Sequence, residues 1–270
     1  MDSRSPPPRR LASRAPVLLV VLAAAGLGLF VIPLIALVMR APWGRLSEIF
    51  SSNLVLDALR LSVITSLAAA GMSAVIGVPL AWVIARIAFR GRSVVRALVT
   101  LPLVLPPVVG GAALLFAFGR RGVVGEPLNE ATGILLPFSI WGVIAANAFV
   151  AMPFLVITVE SALRNLDSRY EGAAASLGAG KWTVLSRVTL PMIGPSLAAG
   201  LVLTWARALG EFGATITFAG NLQGRTQTLP LAVFVALESD RDTAVALSLM
   251  MVAMSLTVLV ALRDRWWRAG

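Results

Sequence analysis

Long apolar segments alternate with short polar links along the chain. The first apolar segment covers residues 17–39 and contains no charged side chain. A helix of that length crosses the roughly 30 Å hydrocarbon core of a bilayer, so we expect a membrane span there. Five further segments are apolar over a comparable length: residues 61–85, 97–118, 134–159, 190–219 and 243–262. The pattern predicts an all-α, polytopic membrane protein with six transmembrane helices.

The amino-terminal region has two interpretations. Arg9 and Arg10 precede the first apolar segment, as basic residues do in a cleavable signal peptide. The segment is longer than the apolar core of such peptides, however, and no convincing small-residue cleavage site follows it. We therefore expect a retained first helix over residues 16–39. Residues 1–15 are rich in proline and arginine, and we expect them to form a disordered cytoplasmic tail.

Lys and Arg side chains are unevenly divided between the two sets of links. With six spans, fifteen lie on the side of both termini and seven on the other, and Arg207 lies inside a span. The side richer in Lys and Arg is usually cytoplasmic. We expect both termini in the cytoplasm, with residues 263–270 as a short tail. The net charge of +10 then reflects topology, and binding to nucleic acid is not needed to explain it.

Composition argues against several classes of chemistry. The chain has no Cys and no His, which removes disulfides, thiolate metal sites and the commonest general base. Gly180-Lys181 does not continue into a phosphate-binding loop, because Ala175 and Trp182 occupy positions that need Gly and Ser or Thr. We expect no catalytic residue, metal or bound cofactor on this chain, and an intramembrane enzyme is the weakest alternative.

The polar segment between the fourth and fifth spans, residues 167–191, has a distinctive pattern. Its small residues favour a short helix around Ala173 and Ala174, which glycine at position 178 would end. Pro191 fits the first turn of the following helix. A short helix of this kind between two spans can project like a knob into a groove of a soluble partner.

The spacing in this segment resembles the cytoplasmic loop of bacterial ABC importer permeases. The family pattern is Glu-Ala-Ala, three residues, Gly, nine residues, Ile, one residue and Leu-Pro. Gly172 stands at the Glu position, and Glu171 lies one residue earlier. The resemblance implies that the loop docks into a separate ATP-hydrolysing subunit. The candidate coupling residues are Glu171, Gly172, Ala173, Ala174, Leu177, Gly178, Leu190 and Pro191.

Prolines and glycines interrupt the third apolar segment. Proline leaves carbonyl groups of the preceding turn unpaired, which a membrane tolerates only against protein or a water-filled cavity. The segment is therefore either a kinked packing helix or part of a transport pathway, which broken spans often line. Pathway candidates in it are Pro106, Pro107, Gly110 and Gly111.

The fifth segment contains two charges four residues apart, Arg207 and Glu211, which can pair on one helical face. Charged residues inside a span usually face the protein interior. Arg207 could attract an anionic substrate, or the pair could be a structural lock. A neutralised pair avoids trapping an anion, which favours the lock. The gate or pathway candidates here are Arg207, Glu211, Gly213 and Thr215.

Residues 207–214, 219–221 and 224–230, together with 101–111, resemble the permeases of bacterial molybdate importers, to which sulfate importer permeases are related. The resemblance covers about residues 54–262. It implies the transmembrane domain of a type I ABC importer, with five helices after the first one. It also implies a homodimer in the lipid of the bacterial plasma membrane, two ATPase subunits that hold ATP and Mg, and an extracytoplasmic oxyanion-binding protein.

The implied function is import of molybdate, with tungstate as a further substrate, by alternating access. A sulfate or thiosulfate ABC permease is the first alternative. An ion-coupled or passive oxyanion transporter is the second, and it would need no ATPase-docking loop.

Overall fold

The computed structural model describes residues 17–266, and every regular element in that range is helical. The chain divides into two compact units, residues 1–41 and 42–270. In the first unit the described element is α1 (Val17–Met39), a helix without charged residues that contains Pro33. This helix covers the first apolar segment of the sequence, residues 17–39. The predicted tails lie mostly or entirely outside the described residues.

The described part of the second unit is a set of long and short helices. They are α2 (Leu46–Phe50), α3 (Asn53–Arg86), α4 (Arg92–Thr100), α5 (Pro107–Phe118), α6 (Gly125–Thr132), α7 (Ile140–Asn165), α8 (Ser168–Ser176), α9 (Lys181–Val184), α10 (Leu190–Met192), α11 (Gly194–Leu209), α12 (Gly213–Phe218), α13 (Leu229–Ser239) and α14 (Arg241–Trp266). A 3₁₀ turn over Leu101–Leu103 follows α4, and a π-helical turn over Leu185–Thr189 joins α9 to α10.

Four helices of the described chain are long and apolar enough to cross a membrane: α1, α3, α7 and the part of α14 over Arg241–Val260. Two more candidate spans are bent pairs of helices. The chain bends by 117° between residues 92–103 and 107–118, and by 72° between residues 181–192 and 194–209. The described chain therefore has up to six spans if each bent pair counts as one.

The third and fifth apolar segments are thus not the continuous spans that apolar length alone suggests. Pro106 has an extended backbone (φ −54°, ψ 130°) and Pro107 opens α5, so no helical hydrogen bond connects α4 to α5 across this point. In the fifth segment α11 ends at Leu209, and α12 begins only at Gly213. The third segment therefore changes direction inside the apolar region, whereas the fifth bends at residue 193, near its amino-terminal end, and its helix is interrupted again after Leu209.

Links that were expected to be polar contain additional helices. Residues 40–59 hold α2 and the first turns of α3, residues 120–133 hold α6, and residues 221–242 hold α13. For α2, α3 and α13 the reason is visible in the packing, because Ile49, Val55 and Leu229 are buried in one apolar cluster with residues of α14. Charged residues between these apolar positions hid the helical periodicity in the sequence.

The core of the second unit is the pairing of α3 with α7, against which α11 also packs. The small residues Ala69, Ser73 and Gly77 recur every fourth position on the buried side of α3. A Cβ atom on Gly77 would lie 3.2 Å from Met152 Cγ and 3.3 Å from Val156 Cγ2. The two helices are therefore as close as small residues allow.

Candidate functional site

The predicted docking segment forms a short helix with defined caps. The Asp167 carboxylate accepts the N–H of Arg169 at 2.9 Å and starts α8. At the other end Gly178 has φ +85°, and its N–H donates to Ala175 O at 3.0 Å. The N–H of Ala179 donates to Ala174 O at 3.1 Å. These two bonds form a Schellman motif, which needs a left-handed residue and explains the glycine at position 178.

The residues of α8 divide between two faces. Tyr170, Ala173 and Leu177 recur at helical spacing and are exposed, and Leu177 is 90% exposed. Glu171 and Ala175 line a cavity between α8 and the end of α3. An apolar tip with this exposure is typical of a surface that a partner covers.

Glu171 connects the docking segment to the rest of the second unit. Its Oε2 lies 3.0 Å from Arg86 Nη2 at the end of α3, and its Oε1 accepts a hydrogen bond from Thr189 Oγ1 at 2.7 Å. Because Glu171 lies one residue before the Glu position of the family pattern, the sequence did not predict which residues it contacts. The structure gives it two intramolecular partners. A displacement of α8 would therefore act on both α3 and the segment that leads into α11.

A second charged cluster in this part of the unit escaped the sequence analysis. Glu160 on α7 is buried and accepts hydrogen bonds from the guanidinium of Arg96 on α4. Arg164 Nε lies 3.2 Å from Glu160 Oε1. The i, i+4 spacing of Glu160 and Arg164 was a usable signal, but nothing in the sequence pointed to Arg96. The cluster anchors α4 to α7 before the sharp bend.

Some of the pathway candidates meet at a small cavity. Its volume is about 300 Å³, and its lining comes from the start of α5 and the break between α11 and α12. The lining includes four predicted residues: Pro107, Arg207, Glu211 and Gly213. Pro106 directly precedes this lining in the chain.

The other three candidates lie in helix packing. Gly110 and Gly111 are buried in α5, where a Cβ on Gly110 would lie 3.0 Å from Phe149 Cε1. Thr215 is buried in α12 and donates a hydrogen bond to Asn147 Oδ1 at 3.2 Å. None of these three lines the cavity described above.

Arg207 and Glu211 form an ion pair, and Glu211 also accepts a hydrogen bond from the backbone of α12. Arg207 Nη2 lies 2.7 Å from Glu211 Oε2, and Glu211 Oε1 accepts the N–H of Ala214 at 2.8 Å. The Glu211 side chain is only 1% exposed, whereas that of Arg207 is 30% exposed. Both carboxylate oxygens are therefore satisfied, and the pair joins the last turn of α11 to the first turn of α12.

Glycine allows α5 and α12 to touch through their backbones. A Cβ on Gly213 would lie 2.8 Å from Pro107 Cβ, and a Cβ on Gly111 would lie 2.8 Å from Ala214 O. Neither position has room for a side chain. The two breaks in the apolar segments are thus held against each other.

Within residues 17–266, no three His, Cys, Asp or Glu side chains are grouped so that they could hold a metal ion.

Comparisons with known proteins agree with this architecture. Residues 77–267 match the family described as "Binding-protein-dependent transport system inner membrane component". The chain is 47% identical over 245 residues to the molybdenum transport system permease protein ModB of Mycobacterium tuberculosis, covering 90% of this chain and 92% of that protein. It is 39% identical over 210 residues to ModB of Escherichia coli, covering 78% and 92%.

A more distant relative carries a different description. The sulfate transport system permease protein CysT of Escherichia coli is 35% identical over 246 residues, covering 90% of this chain and 88% of that protein. Among solved structures, a chain of a bacterial alginate ABC transporter, in complex with an alginate pentasaccharide-bound periplasmic protein, superposes with a TM-score of 0.71. It is 22% identical, and the match covers 93% of this chain and 94% of the other. That likeness concerns the fold.

Proposed function

Because the chain belongs to the family of binding-protein-dependent transport system inner membrane components, we propose that it is the permease subunit of an ATP-driven molybdate importer. The chain is a multi-pass inner membrane protein, and its family is one of transport-system components. The main support for molybdate as the substrate is the 47% identity to ModB over 90% of the chain. The relation to a sulfate permease is more distant at 35%.

The proposed assembly contains two copies of this chain, two copies of an ATPase subunit and an extracytoplasmic oxyanion-binding protein. The exposed tip of α8, with Tyr170 and Leu177, supports docking to the ATPase. ATP and Mg belong to that subunit, since this chain has no phosphate-binding loop. Two copies related by a twofold axis would enclose one pathway. The family description, which names a binding-protein-dependent transport system, supports the third partner.

In the proposed mechanism, ATP binding closes the ATPase dimer and displaces α8. The Glu171 contacts with Arg86 and Thr189 transmit that displacement to α3 and to the chain entering α11. The spans then favour an outward-open state, and hydrolysis resets them. ATP drives this cycle only because it binds the two states with different affinities.

The cavity at the α11–α12 break fits passage of a dianion. Arg207 is neutralised by Glu211, so the cavity carries no full positive charge that would hold an anion. Oxyanion discrimination requires several convergent donors in fixed geometry, and Arg207 is the only side chain with a nitrogen donor among the residues that line this cavity. The proposal therefore places most of the selectivity in the binding protein.

The substrate is tested by reconstituted uptake. Vesicles that contain this permease, its ATPase and the cognate binding protein should accumulate labelled molybdate, with competition by unlabelled tungstate. At equal concentrations, sulfate uptake should be more than tenfold slower. Omitting ATP or the binding protein should reduce molybdate uptake to background. Sulfate uptake equal to that of molybdate would overturn the substrate and leave the permease assignment intact.

The orientation of the chain is a separate prediction. The unequal division of Lys and Arg, fifteen against seven, predicts cytoplasmic termini. A reporter that is active only in the cytoplasm should work when it is fused after Gly270. A reporter that is active only outside the cytoplasm should work in the opposite link, after Gly133. Extracytoplasmic activity at Gly270 would show that the orientation is reversed.

A further inference from the structure

Two adjoining cavities form one groove between α3 and the docking segment. An apolar cavity of about 360 Å³ is lined by α3, α7 and the chain around Trp182. A second, more polar cavity of about 440 Å³ is lined by the end of α3 and by α8 and α9. Trp82 and Leu185 line both. We call the two parts the apolar arm and the polar arm of the groove.

The polar arm carries one unbalanced positive charge. Arg86, Lys181 and Glu171 are its charged lining residues. Arg86 Nη2 lies 3.0 Å from Glu171 Oε2, and Nη2 and Nε are enclosed by protein. Lys181 is exposed, so it supplies the charge that a ligand in the arm can reach. The arm is therefore suited to a ligand with oxygen acceptors and a single negative charge.

In the proposed topology, the groove lies near the cytoplasmic boundary of the bilayer. The polar arm lies where α3 ends at Arg86, and the next residues include the basic positions Arg90 and Arg92. Trp82 lies one helical turn before that end, and Trp182 is exposed beside the groove. Tryptophan is typical of the interface between hydrocarbon and headgroups. In the proposed topology, the apolar arm faces the acyl chains of the cytoplasmic leaflet and the polar arm faces its headgroups.

We infer that this groove binds an anionic phospholipid of the cytoplasmic leaflet. Its phosphodiester accepts a hydrogen bond from the Lys181 ammonium and balances its charge, while an acyl chain occupies the apolar arm. Inorganic phosphate would satisfy only the polar arm. Basic pockets between transmembrane helices on the cytoplasmic side are suited to anionic headgroups. The inference rests on the proposed orientation in the membrane, and it does not depend on the transported substrate.

A second copy of the chain is a poorer occupant. The acidic side chains described in this part of the molecule already have basic partners: Glu160 pairs with Arg96 and Arg164, Asp167 with Arg169, and Glu171 with Arg86. A second copy would therefore offer no free carboxylate from these residues. A bound lipid, by contrast, would brace α8 against α3 and link the docking segment to the composition of the membrane.

The test uses the purified full-length chain in nanodiscs, without ATPase, binding protein or oxyanion. Brominated phosphatidylglycerol and brominated phosphatidylcholine are titrated, and tryptophan quenching is measured. Comparison with Trp182→Phe isolates the signal of Trp182, which lines the apolar arm. The half-quenching mole fraction should be about fivefold lower for the anionic lipid, the effect of one lysine near an anionic surface. Lys181→Gln should bring the two lipids to nearly equal values.

Arg187→Gln is the matched control, because it removes the same charge from an exposed position in the same segment that does not line the groove. It should retain the fivefold preference. Equal quenching by both lipids in the unchanged protein would overturn the inference. Equal effects of the two substitutions would do the same, since they would indicate general surface attraction. Absence of quenching by both lipids would also overturn the inference, because no lipid would then occupy the groove. These outcomes are independent of transport.

Discussion

Gly178→Glu is expected to reduce ATP-driven uptake more than tenfold while the chain still inserts into the membrane. Gly178 has φ +85°, a conformation that costs a residue with a side chain about 1–2 kcal/mol. No neighbouring atom lies within 4 Å of a Cβ placed there, so the fold itself has room for the side chain. The substituted carboxylate would instead enter the docking interface beside Leu177, where an unpaired charge loses its hydration.

Two control variants separate the backbone from the charge. Gly178→Asn should keep most of the activity, because asparagine tolerates the left-handed conformation. Gly180→Glu introduces the same charge two residues away at φ −68°, without strain, and tests the charge alone. Co-purification with the ATPase subunit and uptake by reconstituted vesicles provide the two measurements. If Gly178→Glu retains the ATPase unchanged, α8 is not the docking element.

The long spans could be predicted from sequence because their apolar length is a local property. The segment over 17–39 and helices α3, α7 and α14 all follow from uninterrupted apolar runs. The positions at which these helices begin and end were harder to predict from the sequence. Val55 and Ala58 lie on the buried side of α3, but Asp57 and Arg60 beside them made that turn look like a polar link.

The bends depend on tertiary packing and could not be located in the same way. The prolines of the third segment indicated an interruption, but not a change of direction by 117°. After the bend, α5 packs closely against a distant part of the chain, with Gly213 against Pro107 and Gly111 against Ala214. Sequence spacing carries no information on such pairs.

In the candidate sites, too, local features could be predicted from the sequence and contacts between distant residues could not. The spacing of Arg207 and Glu211 made their pairing visible, and Gly178 followed from helix-capping rules. By contrast, Glu171 and Thr189 are 18 residues apart, and Arg96 and Glu160 are 64 residues apart. Their contacts exist only because the fold brings separate helices together. Whether the candidate residues act in coupling and in the pathway stays a prediction that the variants described here address.

Arg207→Ala is expected to lower the yield of folded protein more than a double variant that also neutralises Glu211. The single substitution leaves a carboxylate that is only 1% exposed without its ionic partner. Removing one partner of a buried pair costs about 3–5 kcal/mol, because the remaining charge is not compensated. The structural lock therefore predicts a large loss for the single variant and a partial recovery for the double variant.

The second substitution should be Glu211→Gln, because its carbonyl oxygen can still accept the N–H of Ala214, which Glu211 now accepts at 2.8 Å. Glu211→Ala would remove this cap as well as the charge, and would hide part of the recovery. Folded yield and thermal stability are measured by size-exclusion chromatography of detergent extracts, with Arg225→Ala as an exposed arginine control. Arg207→Ala and Arg207→Ala/Glu211→Gln should differ by several-fold in folded yield. If they fold equally well and both fail in uptake, Arg207 is a substrate contact, since a charge that only stabilises the fold would not affect transport alone.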